Sequence, residues 1–215
     1  CKERDVLVGG LVGSKQHAER QIAIGTDVII AQGTEAGGHC GDISTMVLVP
    51  QVVDAVGPDV PVLAAGGIQD GRQMAAAMAL GAQGVWTGSM WLLAQEADMQ
   101  PEVTENLLDA SSTDFIRSRA MTGKPARQFR SAWVEAWARE DAPDTLPMPI
   151  QGLLFGEYSR RWSRVHSKEY GGHPAGQIIG SIDKVRPARD MVLDMVQGWI
   201  DAVERSNAQL EAAQA

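Results

Sequence analysis

"VPVLAAGGIQDGRQMAAAMALGAQGVWTGS", residues 60–89, joins two short apolar runs through a segment with helical periodicity. The first run ends in a glycine pair, and the second ends in small polar residues. Between them, Asp70 and Gln73 have the spacing of a capping box, and Gly81 is a typical helix stop. The stretch therefore predicts a strand, a helix over 70–81 and a second strand.

The same order occurs earlier in the chain. Ser14 and Gly25 bracket one predicted helix, and "VPQVVDAVG", residues 49–57, predicts another. Predicted strands lie around residues 6–12, 28–32, 62–65 and 85–88. These strands are apolar throughout, which is typical of a parallel sheet covered on both faces. We therefore expect an α/β fold, and the pattern suits both a (β/α) barrel and a doubly wound sheet.

The second half of the chain has a different character. Residues 101–175 are polar and carry tryptophans and clustered prolines, so we expect a cap or insert of helices and loops. Residues 176–215 are expected to form a closing segment and an amphipathic helix, with a stripe through Val192, Met195, Trp199 and Val203. The last eight residues are expected to fray. Residues 1–100 then form the barrel portion.

Composition narrows the classes of function. The formal net charge is -8, which argues against broad nucleic-acid binding because that needs clustered cations. Two cysteines, Cys1 and Cys40, favour a reducing, cytoplasmic location. Neither a membrane span nor a signal peptide is apparent. The chain starts at Cys1 and enters an apolar run at once, so we expect the later part of a longer protein rather than a processed lipoprotein.

Two consecutive strand ends are candidates for phosphate binding. Gly66 and Gly67 precede the capped helix, and Gly88 and Ser89 follow the next strand. Adjacent loops of small residues expose backbone N–H groups to an anion, and barrels often bind phosphate after their last two strands. The alternative is that these glycines only form tight turns. Taken as a pair, the two loops favour phosphate binding.

"AQGTEAGGHCGD", residues 31–42, is the candidate centre of chemistry. Gln32 lies at a predicted strand tip, where it is placed to bond a polar ring edge, and Gly37 and Gly38 allow close approach of a flat ring. His39 has the chemistry of a proton acceptor near neutral pH. Glu35 is expected to have a supporting role beside His39, and Cys40 is expected to be a packing residue. No second ligand pair accompanies His39 and Cys40, so no metal site is predicted.

Taken together, "AQGTEAGGHCGD" and "VLAAGGIQDGRQMAAAMALGAQGVWTGSMWL" resemble the nitronate monooxygenase family, formerly the 2-nitropropane dioxygenases, and in particular its actinobacterial branch. "GQIIGSIDKVRPAR" is similar to the closing motif of that family. The related flavin-dependent enoyl-acyl-carrier-protein reductases share the pattern. The resemblance runs from residue 5 to about residue 205.

The resemblance implies a TIM-type (β/α)8 barrel that binds FMN, of which this chain supplies about the last four units. It implies flavin contacts at Gln32 and Gly37 and phosphate contacts at Gly67 and at Trp86, Thr87, Gly88 and Ser89. It also implies that His39 takes the substrate proton while a nitronate is oxidised with O2 to a carbonyl compound and nitrite. The N-terminal half-barrel is then a required partner, and homo-oligomer formation stays open.

Two other functions remain open at this point. One is reduction of an enoyl thioester with NAD(P)H in the same fold. The other is a non-catalytic half-barrel that binds a phosphate ligand or a partner subunit. The sequence leaves the physiological substrate open.

Overall fold

The computed structural model describes residues 1–214, apart from the side chain of Lys2. A four-stranded, wholly parallel sheet has the order β1-β2-β4-β5. Its strands are β1 (Gly9–Val12), β2 (Val28–Gln32), β4 (Val62–Ala65) and β5 (Gly84–Trp86). Each predicted strand is present, within a few residues of its predicted bounds. The predicted α/β fold with a parallel sheet is therefore confirmed.

Helices connect these strands and close the first unit. They are α1 (Lys15–Ala23), α2 (Thr45–Val56), α3 (Gly71–Ala79) and α7 (Ala188–Gln214). Ser14 caps α1 by accepting a hydrogen bond from the His17 amide. Asp70 and Gln73 form the predicted capping box of α3, in which each side chain bonds the backbone of the other residue. Local sequence thus fixes where α1 and α3 begin.

Apolar side chains of the strands and helices form one core in this unit. Its fully buried members include Ile29 and Val62 from the sheet, and Leu48, Val49 and Val52 from α2. The α2 helix begins at Thr45, four residues earlier than the predicted start, and contains Pro50. Burial of the apolar face of α2 offsets the hydrogen bond that a proline removes from a helix.

The C-terminal helix also departs from its prediction. We expected the last eight residues to fray, but α7 continues to Gln214 because its final turns are rich in good helix formers. The predicted apolar stripe is only partly buried. Met195 is buried, whereas Val192 and Val203 stay exposed.

Residues between α3 and α7 form most of a second unit. Its helices are α4 (Pro101–Asp109), α5 (Ala132–Ala138) and α6 (Ile150–Val165). A three-stranded antiparallel sheet, in the order β3-β7-β6, joins β3 (Gly38–His39), β7 (Ala126–Phe129) and β6 (Phe115–Ser118). We expected helices and loops here. Strands of two to four residues from distant parts of the chain carry too short a pattern for recognition in the sequence.

Contacts between Cα atoms divide the chain into two compact units. The first contains residues 1–34, 41–87 and 186–215, and the second contains residues 35–40 and 88–185. The predicted consecutive ranges 1–100, 101–175 and 176–215 stay predictions. No helix within residues 1–214 combines the length and the apolar character needed to cross a membrane.

Candidate functional site

Two predicted site residues of the first unit, Gln32 and Trp86, lie at the same end of its parallel sheet. In the strand register, Gln32 at the end of β2 pairs with Ala65 at the end of β4. Ala65 in turn pairs with Trp86 at the end of β5. The carboxyl ends of these three strands are therefore level, which is where parallel α/β proteins bind ligands.

The Gly66–Gly67 pair turns the chain from β4 towards α3. Both residues have positive φ angles, 98° and 70°, which side-chain-bearing residues rarely adopt. The Thr45 hydroxyl donates to the Gly66 carbonyl at 2.9 Å and holds the turn in place. Among the described residues, the Gly67 amide donates no backbone hydrogen bond. The turn therefore offers a backbone donor at the carboxyl end of β4, and its binding of a phosphate stays a prediction.

The first turn of α3 lies just beyond this glycine pair. Burial raises the pKa of Asp70, but hydrogen bonds from the amides of Gln73 and Arg72, together with the Arg72 guanidinium, bring it below its ordinary value. Asp70 is consequently an anion that caps the helix. The amides of Arg72 and Gln73 are engaged by this side chain, so the free donor lies in the glycine turn.

Trp86 and Thr87 follow at the end of β5. Trp86 is 51% exposed although it belongs to a strand of the central sheet. An exposed aromatic ring level with Gln32 presents a flat apolar face at the predicted ligand edge. This arrangement fits contact with a planar group.

His39 belongs to the second unit, on the two-residue strand β3 that pairs with β7. Its imidazole is exposed, and Nε2 lies 2.7 Å from Oγ1 of Thr122. Thr122 was not predicted as a site residue, because a single threonine in a loop far along the chain carries no sequence signal. This contact engages Nε2, so the other ring nitrogen, Nδ1, is available to accept a proton.

The two glycines before His39 serve different purposes. A Cβ on Gly37 would lie 2.6 Å from backbone atoms of Ala175, so close packing within the second unit already requires glycine there. Gly38 has a φ of +73°, and nothing lies within 4 Å of the position a Cβ would take. Open space beside Gly38 is compatible with the predicted close approach of a ring, whereas Gly37 has a packing role of its own.

Gly88 and Ser89 also lie in the second unit. A Cβ on Gly88 would meet nothing within 4 Å, and its amide donates no backbone hydrogen bond among the described residues. The Ser89 hydroxyl accepts a hydrogen bond from the Gly176 amide at 2.7 Å. Because a hydroxyl both accepts and donates, Ser89 is anchored while its own hydrogen stays available to a ligand.

Cys40 and Glu35 contribute backbone contacts beside His39. The Cys40 carbonyl accepts from the Arg117 guanidinium at 3.4 Å, and the Glu35 carbonyl accepts from the Gln177 amide at 3.0 Å. Cys40 is not part of a disulfide. Within residues 1–214, no three His, Cys, Asp or Glu side chains are grouped as metal ligands would be.

Comparisons with known proteins place this chain in a family. Residues 1–198 match the sequence profile of the family described as Nitronate monooxygenase. A Mycobacterium tuberculosis (strain ATCC 25618 / H37Rv) protein named as a monooxygenase is 54% identical over 205 residues, covering 93% of this chain and 54% of the relative. A Staphylococcus aureus (strain MSSA476) protein named as a nitronate monooxygenase is 33% identical, covering 84% of this chain and 56% of the relative.

Solved structures give the same result. FabK from Thermotoga maritima is similar with a TM-score of 0.82 and 33% identity, over 97% of this chain and 65% of that one. A nitroalkane oxidase from Streptomyces ansochromogenes is similar with a TM-score of 0.84 and 26% identity, over 95% of this chain and 60% of that one. The chain spans about half the length of the curated relatives it matches.

The family match covers most of the chain, and the similar structures are TIM barrels of flavin-dependent enzymes. Both findings agree with the resemblance that the motifs imply, including the class of enzyme and the flavin cofactor. This chain therefore belongs to the nitronate monooxygenase family.

Proposed function

We propose that the protein containing this chain oxidises alkyl nitronates and nitroalkanes with O2 to a carbonyl compound and nitrite, with FMN as cofactor. The observation that carries the proposal is His39, an exposed imidazole held on a short strand in a chain of the nitronate monooxygenase family. His39 is the proposed acceptor of the α-proton of a nitroalkane. A histidine suits this step because its pKa is ordinarily close to neutral pH.

The residues of the first unit fit the phosphate and ring of FMN. The Gly66–Gly67 turn has backbone angles that favour glycine and an amide without a backbone partner, as a phosphate loop requires. Gln32 and the exposed Trp86 are level at the strand edge. We assign phosphate contacts to Gly66, Gly67, Trp86 and Thr87, and a ring contact to Gln32.

In the second unit, Gly88 and Ser89 are the further proposed phosphate contacts, and Gly37 and Gly38 the proposed ring contacts. Ser89 fits because the Gly176 amide anchors it and leaves its hydroxyl hydrogen to donate. Gly38 fits because space is open beside it. When bound, FMN supplies the redox chemistry by taking electrons from the substrate and passing them to O2. The chain's own side chains orient the substrate and hold the proton.

His39→Ala tests the proposed base when two forms of one substrate are compared. The variant should lower turnover of the neutral nitroalkane by about 10²-fold or more, because loss of a general base costs that much. Turnover of the preformed nitronate, which has already lost its proton, should fall much less. His17→Ala, an exposed histidine on α1, is the control. Unchanged nitroalkane turnover in His39→Ala would remove the proposed role.

Gly67→Val tests the phosphate loop through cofactor content rather than activity. The valine should abolish FMN retention, because its side chain occupies the space of the phosphate. Gly57→Val is a matched control, since Gly57 has a similar φ of 75° and ends α2 with nothing within 4 Å of its Cβ position. Stoichiometric FMN in Gly67→Val, or equal loss in both variants, would refute the loop assignment.

A second candidate function is reduction of an enoyl thioester with NAD(P)H. The likeness to FabK, at 33% identity over nearly the whole chain, favours it. The two activities are distinguished by the co-substrate that is consumed. Consumption of O2 with a nitronate supports nitronate oxidation, and oxidation of NAD(P)H with an enoyl thioester supports enoyl reduction. If the intact protein shows no flavin absorbance at about 450 nm, the third alternative, a non-catalytic half-barrel, is favoured.

The remaining partners are proposals as well. We infer a small-molecule substrate, O2 and a preceding half-barrel that completes the sheet, because four parallel strands leave unpaired edges. The cytoplasmic location, based on the cysteine content, and a homo-oligomeric state stay predictions.

A further inference from the structure

Thr122, the neighbour of His39, lies in a loop that polar side chains of the second unit hold in place. The carbonyl of Ala120 accepts two hydrogen bonds, from Nε1 of Trp133 at 3.0 Å and from Nε2 of Gln151 at 2.8 Å. Gln151 is 0% exposed, and its Oε1 accepts from the Leu146 amide at 3.0 Å. A buried amide with both ends bonded is costly to displace, so the loop is fixed before any ligand binds.

The far side of this loop is equally constrained. The Gly123 amide donates to the Arg119 carbonyl at 2.8 Å, and the Arg119 guanidinium donates back to the Gly123 carbonyl at 3.1 Å. Gly123 has a φ of +82°, and a Cβ there would lie 2.2 Å from the Leu146 carbonyl oxygen. Thr122 therefore lies between Ala120 and Gly123, and hydrogen bonds hold the backbone of both residues.

The Thr122 hydroxyl makes three contacts, and one arrangement satisfies all of them. Oγ1 lies 3.3 Å from the Lys124 amide, 3.3 Å from the Lys124 carbonyl and 2.7 Å from Nε2 of His39. The amide must donate and the carbonyl must accept, so the single hydroxyl hydrogen goes to the carbonyl. The hydroxyl oxygen then accepts from His39, which requires the hydrogen of a neutral imidazole to be on Nε2.

We propose that Thr122 is a positioning residue that holds His39 in the Nε2–H tautomer, so that Nδ1 is the atom that accepts the substrate proton. This inference rests on the proposed function of His39 as the base. The α-carbon–hydrogen bond breaks, its electron pair stays on the nitronate, and the proton forms a new bond to Nδ1. The Nε2 hydrogen does not move.

The contact with Thr122 favours this step as well as the starting tautomer. Once Nδ1 carries the proton, the ring is an imidazolium, and its Nε2–H donates a charge-assisted hydrogen bond to the same hydroxyl oxygen. Thr122 does not touch the substrate in this mechanism. It acts through the orientation and tautomer of His39.

The test is the tautomer of His39 in the intact protein, measured by long-range ¹H–¹⁵N NMR of histidine labelled with ¹⁵N and assigned by the signal lost in His39→Ala. In the wild-type protein, the signal should show a hydrogen on Nε2 and none on Nδ1. Thr122→Val removes the hydroxyl at nearly constant shape and should produce a mixture of both tautomers. Thr122→Ser keeps the hydroxyl and should restore the single tautomer.

Nitroalkane turnover should change in parallel with the tautomer of His39. Thr122→Val should lower nitroalkane turnover by about 10- to 100-fold, since a hydrogen bond to a charged group is lost, while FMN content stays unchanged. Thr122→Ser should recover most of it. Thr104→Val is the matched control, because the Thr104 hydroxyl donates to the carbonyl of Gln100, the residue that precedes α4, far from His39 in sequence.

Separate outcomes identify which idea fails. A wild-type His39 with its hydrogen on Nδ1, or a single Nε2–H tautomer that persists in Thr122→Val, overturns the inference without any activity measurement. Unchanged turnover in His39→Ala overturns the proposed base and leaves the tautomer result intact. The wild-type spectrum alone is decisive if Thr122→Val fails to fold.

Discussion

The unit built on the parallel sheet and the unit built on the antiparallel sheet are stabilised by contacts of different range along the chain. In the first, the Val8 amide bonds the Asp27 carboxylate 19 positions away, and the Val62 amide bonds the Gln83 side chain 21 positions away. In the second, His39 reaches Thr122 across 83 positions. Ser89 reaches the Gly176 amide across 87.

The difference follows from how each sheet is built. A βα unit places each strand and its helix next to each other in sequence, so caps and glycines mark its boundaries locally. The antiparallel sheet pairs β3 with β7, which are more widely separated in the sequence. Packing has to offset the entropy lost when such distant segments are brought together. The proposed phosphate turn at Gly66–Gly67 belongs to the first kind of structure, and the proposed base belongs to the second.

Phe115→Ala should have the largest effect on stability and should show how far the second unit depends on one packed cluster. Phe115 is 1% exposed, and its ring centroid lies 5.9 Å from that of Phe129. Removing it should lower the free energy of unfolding by about 3–5 kcal/mol, as for other buried aromatic residues. Denaturant unfolding measures the loss, and hydrogen exchange should locate it in β6 and β7.

Leu153→Ala in α6 is the control for this prediction. Leu153 is 70% exposed, so its removal should change the free energy of unfolding by less than about 0.5 kcal/mol. Similar losses in the two variants would mean that the long-range cluster around Phe115 is not what stabilises the unit.

Gly71→Ala tests a long-range contact within the first unit. It is the contact between α3 and α7, two helices that are far apart in the sequence. A Cβ on Gly71 would lie 2.0 Å from the Trp199 amide nitrogen. Because backbone atoms have no rotamer to change, we expect a loss of about 1–3 kcal/mol or more in the free energy of unfolding. Thermal and denaturant unfolding would measure it.

Gly198→Ala approaches the same contact from the other helix. A Cβ there would lie 3.4 Å from Gly71, an ordinary contact, and alanine favours helix by about 1 kcal/mol over glycine. Stability should therefore stay constant or rise. A loss as large as that of Gly71→Ala would show that the helices approach each other differently.

Asp70→Ala should have a smaller effect, because it removes a locally encoded cap. We expect a loss of about 1 kcal/mol in the free energy of unfolding. The pKa of Asp70 lies below its ordinary value in the folded state, so the charge contributes stability above the unfolded pKa. That contribution is lost as pH falls through the folded pKa.

Asp70→Asn separates the cap from its charge, since it keeps a side-chain acceptor and should remove the acid-dependent part of the stability curve. Ser44→Ala is a second control, because Ser44 is the N-cap residue of α2 but makes no side-chain capping bond. A larger loss in Ser44→Ala than in Asp70→Ala would contradict the assignment of the cap.

Tyr158→Phe should have the smallest effect. Burial, together with smaller contributions from the neighbouring Tyr170 and Glu169, raises the pKa of Tyr158 to about 12. Its hydroxyl donates to the Tyr170 carbonyl. Removing that bond should cost about 0.5–1.5 kcal/mol.

The sign of the pH dependence follows from the raised pKa. The contribution of Tyr158 is fully present below the ordinary tyrosine pKa of about 10 and is lost as pH rises through 12. A titration at the absorbance of tyrosinate, taken as the difference between wild type and Tyr158→Phe, should show one group that ionises near 12. An ionisation near the ordinary value would contradict the burial of this hydroxyl.

Local patterns predicted the first unit well for identifiable reasons. The capping box at Asp70 and Gln73, the N-cap at Ser14 and the glycine stops depend on residues within a few positions of each other. The predicted helix at residues 49–57 missed the first four residues of α2. Its true start at Thr45 depends on the apolar burial of Leu48 and Val49, which only the packed structure reveals.

The proposed site divides in the same way. The sequence by itself determined the glycines of the turn, the strand-end position of Gln32 and the choice of His39, because each follows from residue type and neighbouring pattern. Only the tertiary structure decided that Gly37 packs against Ala175 and that Nε2 of His39 faces Thr122. Those contacts join residues far apart in the chain, and their geometry depends on a loop that the buried Gln151 holds in place.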